Sequence, residues 1–186
     1  IFTDITERRR TEAALVESTA RLKEAQKIAR VGRWELDLTT NTLDWSDSIY
    51  ELFEIAPNEF GASYDAFLHA VHPADRDRVA HAYTRSLADR TPYEIEHRLL
   101  MPDGRVKWVI EVCHTDYDPG GAPLRSVGIV QDITERKQAE LELTAQRDML
   151  ETIFESSPFI MMLVDQDVRV RRVNRVGADF TGRPKE

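Results

Sequence analysis

Gly128-Ile129-Val130-Gln131-Asp132-Ile133-Thr134-Glu135-Arg136 decides how this chain is organised, because its last five residues occur twice. The other copy is Asp4-Ile5-Thr6-Glu7-Arg8, at an offset of 128 residues. The likeness continues beyond the motif: Leu15 matches Leu143 and Leu22 matches Leu150 at the same offset. A repeat held in register over that distance implies the end of one unit, a whole second unit and the start of a third. The first residues, Ile1-Phe2-Thr3-Asp4, have no Met and no basic lead-in, so the chain is expected to be cut from a longer protein.

Each copy of the motif opens a helical pattern. Asp4 and Asp132 suit an N-cap, with Glu7 and Glu135 three residues on as a capping box. Thr6 and Thr134 suit the same role slightly later. Arg8 to Arg30 contains no Gly or Pro. A heptad places Leu15, Leu22 and Ala29 at a and Thr11, Ser18 and Ala25 at d; in the second copy Leu143 and Leu150 fall at a, Ala139 and Ile153 at d. Seams this short are weak alone but suffice when folded domains hold the helices together. A dimeric coiled coil is therefore expected, against the alternative of a solvated helix lying on its own domain.

Between the helices, residues 31–133 read as one α+β domain. Trp34-Glu35-Leu36-Asp37-Leu38 alternates and, after the turn-like Thr39–Thr42, Leu43–Trp45 pairs with it as a hairpin. Ser46 caps a short helix from Asp47 to Glu54, broken at Pro57-Asn58-Glu59, and Ser63 caps another through His69. His72-Pro73-Ala74-Asp75-Arg76 opens a longer helix to about Asp89, with Pro73 in the favoured first position. Tyr93–Leu100, Arg105–Asp116 and Leu124–Ile133 are strands joined by Pro102-Asp103-Gly104 and Asp118-Pro119-Gly120-Gly121. Tight turns make the neighbours antiparallel, giving a five-stranded sheet with helices on one face.

Charge agrees with this partition. The net charge is +2 over residues 1–30, −9 over 31–133 and −1 over 134–186. The acidic centre argues against a nucleic-acid partner. No apolar run is long enough to span a membrane. Cys113 is a single thiol, suited to packing in a strand, and a cytoplasmic location is expected.

With these residues the domain resembles the PAS fold with its C-terminal PAC motif. The resemblance rests on Gly32-Arg33-Trp34-Glu35, Asp44-Trp45-Ser46, His72-Pro73-Ala74-Asp75-Arg76 and Glu96-His97-Arg98. It continues in Pro102-Asp103-Gly104 before Trp108-Val109 and in the closing Gly128–Thr134. It implies a division into the tail of a preceding PAS unit (1–8), a coiled-coil linker (9–30) and a complete PAS domain (31–133). A second linker (134–155) and the incomplete start of a following unit (156–186) complete it. Phe159–Asp165 and Val168–Val173 would be that unit's first strands. Tandem PAS units typify bacterial sensor histidine kinases and diguanylate cyclases.

No catalytic constellation accompanies the fold: there is no Gly-rich phosphate loop, no paired metal spacing and no His in either linker. Catalytic and metal-binding residues are therefore expected to be none, and any enzyme to lie in an output domain elsewhere. The resemblance implies a pocket between sheet and helices, for which Trp34, Trp45, Phe53, Phe67 and Trp108 are the candidates. No cofactor is required by the sequence. Flavin or haem are the known options in the family, and His81 lies near the usual position of a haem ligand. The expected partners are a second copy of the chain and a small-molecule ligand. Asp132 and Thr134, with Asp4 and Thr6 in the first copy, are the candidate signal junction, Asp132 also pairing with Arg98 or Lys107. The chain is thus expected to be a sensory and relay module; a ligand-free dimerisation spacer is the alternative.

Overall fold

The alternation of Gly32, Trp34 and Leu36 with polar residues builds the first strand, and everything else in the domain is arranged around it. The computed structural model describes residues 3–56 and 63–182; the side chains of residues 3–7, 22 and 23 lie outside that description. So do the expected break at Pro57-Asn58-Glu59 and the side chains of Asp4, Thr6 and Leu22. The described residues divide into two compact units, 1–134 and 135–186.

In the first unit, α1 (Thr3–Ile28) leads into β1 (Val31–Asp37) and β2 (Thr42–Trp45). Asp37 shapes the hairpin turn, its Oδ1 accepting from the amides of Thr39 at 2.8 Å and Thr40 at 3.0 Å. Three short helices follow: α2 (Asp47–Phe53), α3 (Tyr64–Ala70) and, after a 3-10 turn at Pro73–Asp75, α4 (Arg76–Asp89). Ser63 caps α3 as expected, accepting from the Ala66 amide at 3.2 Å. Ser46 makes no such bond to α2; its hydroxyl instead accepts from the Arg33 amide at 2.9 Å. The strands β3 (Tyr93–Leu100), β4 (Val106–Tyr117) and β5 (Pro123–Asp132) complete an antiparallel sheet in the order β2-β1-β5-β4-β3.

One face of that sheet carries Trp34, Leu36, Ile95, Leu99, Val109, Cys113 and Val130, and the helices cover it with Ile49, Phe53, Phe67, Val79 and Tyr83. Burial of these side chains is the main stabilising term, at roughly 1.5–3 kcal/mol each. The helices approach closely: a Cβ on Gly32 would stand 2.2 Å from Ile49 Cγ1 of α2. A partly buried ion pair pins the start of α4. Asp75, 5% exposed, accepts from Arg98 through its amide (2.9 Å), Nε (2.9 Å) and Nη2 (2.7 Å).

The second unit comprises α5 (Thr134–Ser156), β6 (Met162–Val164), β7 (Val170–Val173) and α6 (Arg175–Thr181). Its two strands pair antiparallel and are shorter than the sequence suggested. Asn174 is fully buried and uses both ends of its amide. Nδ2 donates to the carbonyls of Phe154 (3.1 Å) and Phe159 (2.9 Å), and Oδ1 accepts from Met161 (3.0 Å) and Gly177 (3.1 Å). One side chain thus ties the end of α5, the hairpin and α6 together.

Candidate ligand cavity and signal junction

Between the sheet and its helices lies a cavity of about 20 Å³, enough for one ordered water. Its wall is a run of aromatic rings in mutual contact. Trp45 meets Phe53 at 5.2 Å, Phe53 meets Phe67 at 6.3 Å, and Phe67 meets Tyr64 at 6.2 Å. Tyr64 meets Tyr83 at 5.4 Å and Tyr83 meets Tyr93 at 6.3 Å. Trp34 closes the ring from β1. Four of the five sequence candidates, Trp34, Trp45, Phe53 and Phe67, line this cavity.

Trp108 does not, and the assignment is corrected here. On β4, Val109, Glu111 and Cys113 turn inward, so Trp108 lies on the opposite face with the Arg98 guanidinium 5.6 Å from its ring. The outward set Val106, Trp108, Ile110 and Val112 is the more apolar of the two phases, so hydrophobicity alone selects the wrong face. His81 is exposed on α4, outside the cavity.

The same phase error hides the residue that matters most. Glu111 is 1% exposed, at the centre of the inner face, and is the one charged side chain among the described cavity-lining residues. Desolvation pushes its carboxyl up to about 7, against the opposing pull of the Tyr93 hydroxyl and the Trp34 indole N–H. Tyr64 of α3, Tyr83 of α4 and Cys113 of β4 are raised as well, first by their own burial and then by the nearby carboxylate. Yet Glu111 Oε2 and Trp34 Nε1 are both buried without closing a hydrogen bond. The indole reaches this position because Gly128 lies beneath it: a Cβ there would stand 2.4 Å from Trp34 Cε2. His97, fully buried beside Phe67 with both ring nitrogens unpartnered, is held neutral by burial, its pKa lowered to about 4.

The junction stands at one end of β4 and β5. Thr134 Oγ1 accepts from the Trp108 amide at 2.9 Å, and the Ile133 amide donates to the Trp108 carbonyl at 2.9 Å. Asp132 Oδ1 accepts from the Thr134 amide at 2.8 Å, a turn onto the first residue of α5 and not a bond to its second or third. The Asp132 amide donates to the Arg30 carbonyl at 3.3 Å. The residues that follow α1 are thus held by the end of β5, and the first residue of α5 by Trp108 of β4 beside it. The pairings offered for Asp132 are also corrected: Arg98 is engaged by Asp75, and Lys107 Nζ lies 2.7 Å from Glu54 and 2.8 Å from the Leu52 carbonyl. Asp75 captures Arg98 because it faces the guanidinium directly from the turn before α4. Asp4 and Thr6 lie within the first turns of α1.

On the helices, Leu15, Leu143 and Leu150 are 67%, 69% and 68% exposed, and Ile153 adds to the stripe on α5. Among the described residues no helix is long and apolar enough to cross a membrane, and no cluster of metal-ligating side chains is found.

Comparison with known proteins gives a consistent picture. A PAS fold profile matches residues 42–130 and a PAS domain profile matches residues 148–186. Over 98% of its length the chain is 26% identical to 16% of a probable diguanylate cyclase, DgcE, of Escherichia coli. Over 73% of its length it is 33% identical to 26% of the sensor protein FixL of Bradyrhizobium diazoefficiens. A solved sensory box histidine kinase/response regulator structure from Burkholderia thailandensis matches with TM-score 0.60 at 27% identity, covering 70% of this chain and 98% of that one. The chain spans under a third of these curated relatives.

Proposed function

This chain belongs to the PAS family, and on that premise we propose that it is the sensory and relay part of a bacterial signalling protein. In this reading it dimerises through its flanking helices in the cytoplasm and passes a signal to an output enzyme outside residues 1–186. One observation carries the reading. The strand that presents Glu111 to the cavity also presents Trp108, three residues away, to Thr134 at the head of α5. A change in the cavity that shifts β4 therefore bears on the bond that orients the outgoing helix, a local event with a distant readout. The names of the relatives, a cyclase and a sensor, fit this role. In this reading the chemistry belongs to the output domain.

Thr134→Val in the full-length protein tests the relay. The valine keeps the shape and loses the hydroxyl that accepts from the Trp108 amide. The expected result is altered output activity with an unchanged melting temperature of the sensory unit to within the loss of one hydrogen bond, about 1 kcal/mol. Unaltered output would remove Thr134 from the relay.

The small cavity volume favours a second reading, a ligand-free dimerisation spacer. Native followed by denaturing mass spectrometry of the purified chain separates the two. A released small molecule supports the sensor; a bare polypeptide supports the spacer.

A further inference from the structure

We propose that the cavity is built for a small organic cation bearing N–H groups, a primary or secondary ammonium, whose nitrogen docks on Glu111 inside the aromatic ring. This deepens the sensory reading above and rests on it.

A carboxylate with almost no solvent exposure needs a counter-charge or a proton. The residues lining the cavity with Glu111 include no Lys, Arg or His. Tyr93 and Trp34 approach the carboxylate, but Oε2 is buried without a hydrogen-bond partner. An unpartnered acceptor takes a donor, and the lack of a positive charge in the lining asks that the donor be cationic. The surroundings suit such a group: Trp34, Trp45, Phe53, Tyr64, Tyr83 and Tyr93 all line the space, and aromatic rings attract cations. The placing of the acid is a built feature. Glu111 stands opposite Val130 on β5 and Ile95 on β3, an acidic residue in an otherwise apolar row. Gly128 clears the room that lets the Trp34 indole reach toward it.

The cavity admits an ammonium head as it stands; a longer tail must part the aromatic lining. The test therefore uses a graded series, methylammonium to hexylammonium, each against the alcohol of the same chain length. Binding to the whole chain is read by tryptophan fluorescence and by thermal shift, at a pH above the Glu111 titration. The expected result is a saturable millimolar response to at least one amine, exceeding that of its alcohol by about tenfold or more. In Glu111→Gln, which keeps the size and the acceptor oxygen, that preference should vanish. Trp34→Phe, which removes only the N–H and part of the ring, should weaken amine binding and reports the same site should the first variant fail to fold.

Alcohols that bind as tightly as amines would overturn the cation assignment and leave the sensor reading standing. An amine response that survives Glu111→Gln would overturn it too. So would silence from the whole series, in which case mass spectrometry of the purified chain still decides between sensor and spacer.

Discussion

Glu111 is the residue on which the chemistry of the domain turns. Its folded carboxyl titrates near 7, above the ordinary carboxylate value of 4.5. An acid whose pKa rises on folding is better tolerated protonated, so it favours the folded state at low pH. That advantage declines as pH rises from the unfolded pKa through the folded one. Wild type should therefore lose stability relative to Glu111→Gln between about pH 5 and pH 8, by on the order of 2 kcal/mol, in urea melts across that range. A constant difference would mean that Glu111 does not titrate in this window. Asp75 behaves in the opposite sense. The Arg98 guanidinium holds its carboxyl well below the usual range, so its contribution is present above the unfolded pKa and fades as pH falls. Asp75→Ala frees Arg98 and unpins α4; a loss of about 2 kcal/mol is expected at neutral pH and a smaller loss in acid, by the same melts.

At the scale of elements, α1 and α5 carry the apolar stripe on which the proposed dimer rests. Leu143 and Leu150 repeat at seven residues and stand exposed, a narrow apolar stripe on an otherwise charged helix. Replacing both by Glu places like charges in any seam they form. Sedimentation should then show a shift from dimer to monomer, with the melting of the 31–133 domain unchanged. A monomer in the wild type would refute the seam. The strands show how far pattern reading goes. β1 and β3 alternate strongly, with buried Trp34 and Leu36 and with buried Ile95, His97 and Leu99, and both are legible. β4 is apolar in both phases, so its register could be read only once its partners were in place. That ambiguity sent Trp108 to the wrong face and left Glu111 unnoticed.

Over the whole molecule, the two units differ in how well each buries its own apolar surface. The first encloses a core from β1 to β5. In the second, Phe159, Val168 and Phe180 are 75%, 79% and 80% exposed, and buried side chains gather mainly around Asn174. Hydrogen exchange should therefore be slow in the amides of β1, β4 and β5. It should be at least about tenfold faster in β6 and β7, whose opening costs less. Equal protection would show that the second unit is as stable as the first.

The sequence by itself determined the repeat, the helices that follow it, the five strands and the family. These depend on local signals: capping residues, turn residues, and apolar spacing within one element. It also named Trp34, Trp45, Phe53 and Phe67, because large aromatics in strongly amphipathic elements have one face to go to. Only the tertiary structure decided which side of β4 faces the helices, that Arg98 belongs to Asp75, and that Thr134 at the head of α5 is held by Trp108 of β4. Each of these is a choice among partners distant along the chain. That choice is made by the packing of the whole sheet, where burying one carboxylate is tolerated because every neighbouring strand is already fixed in register.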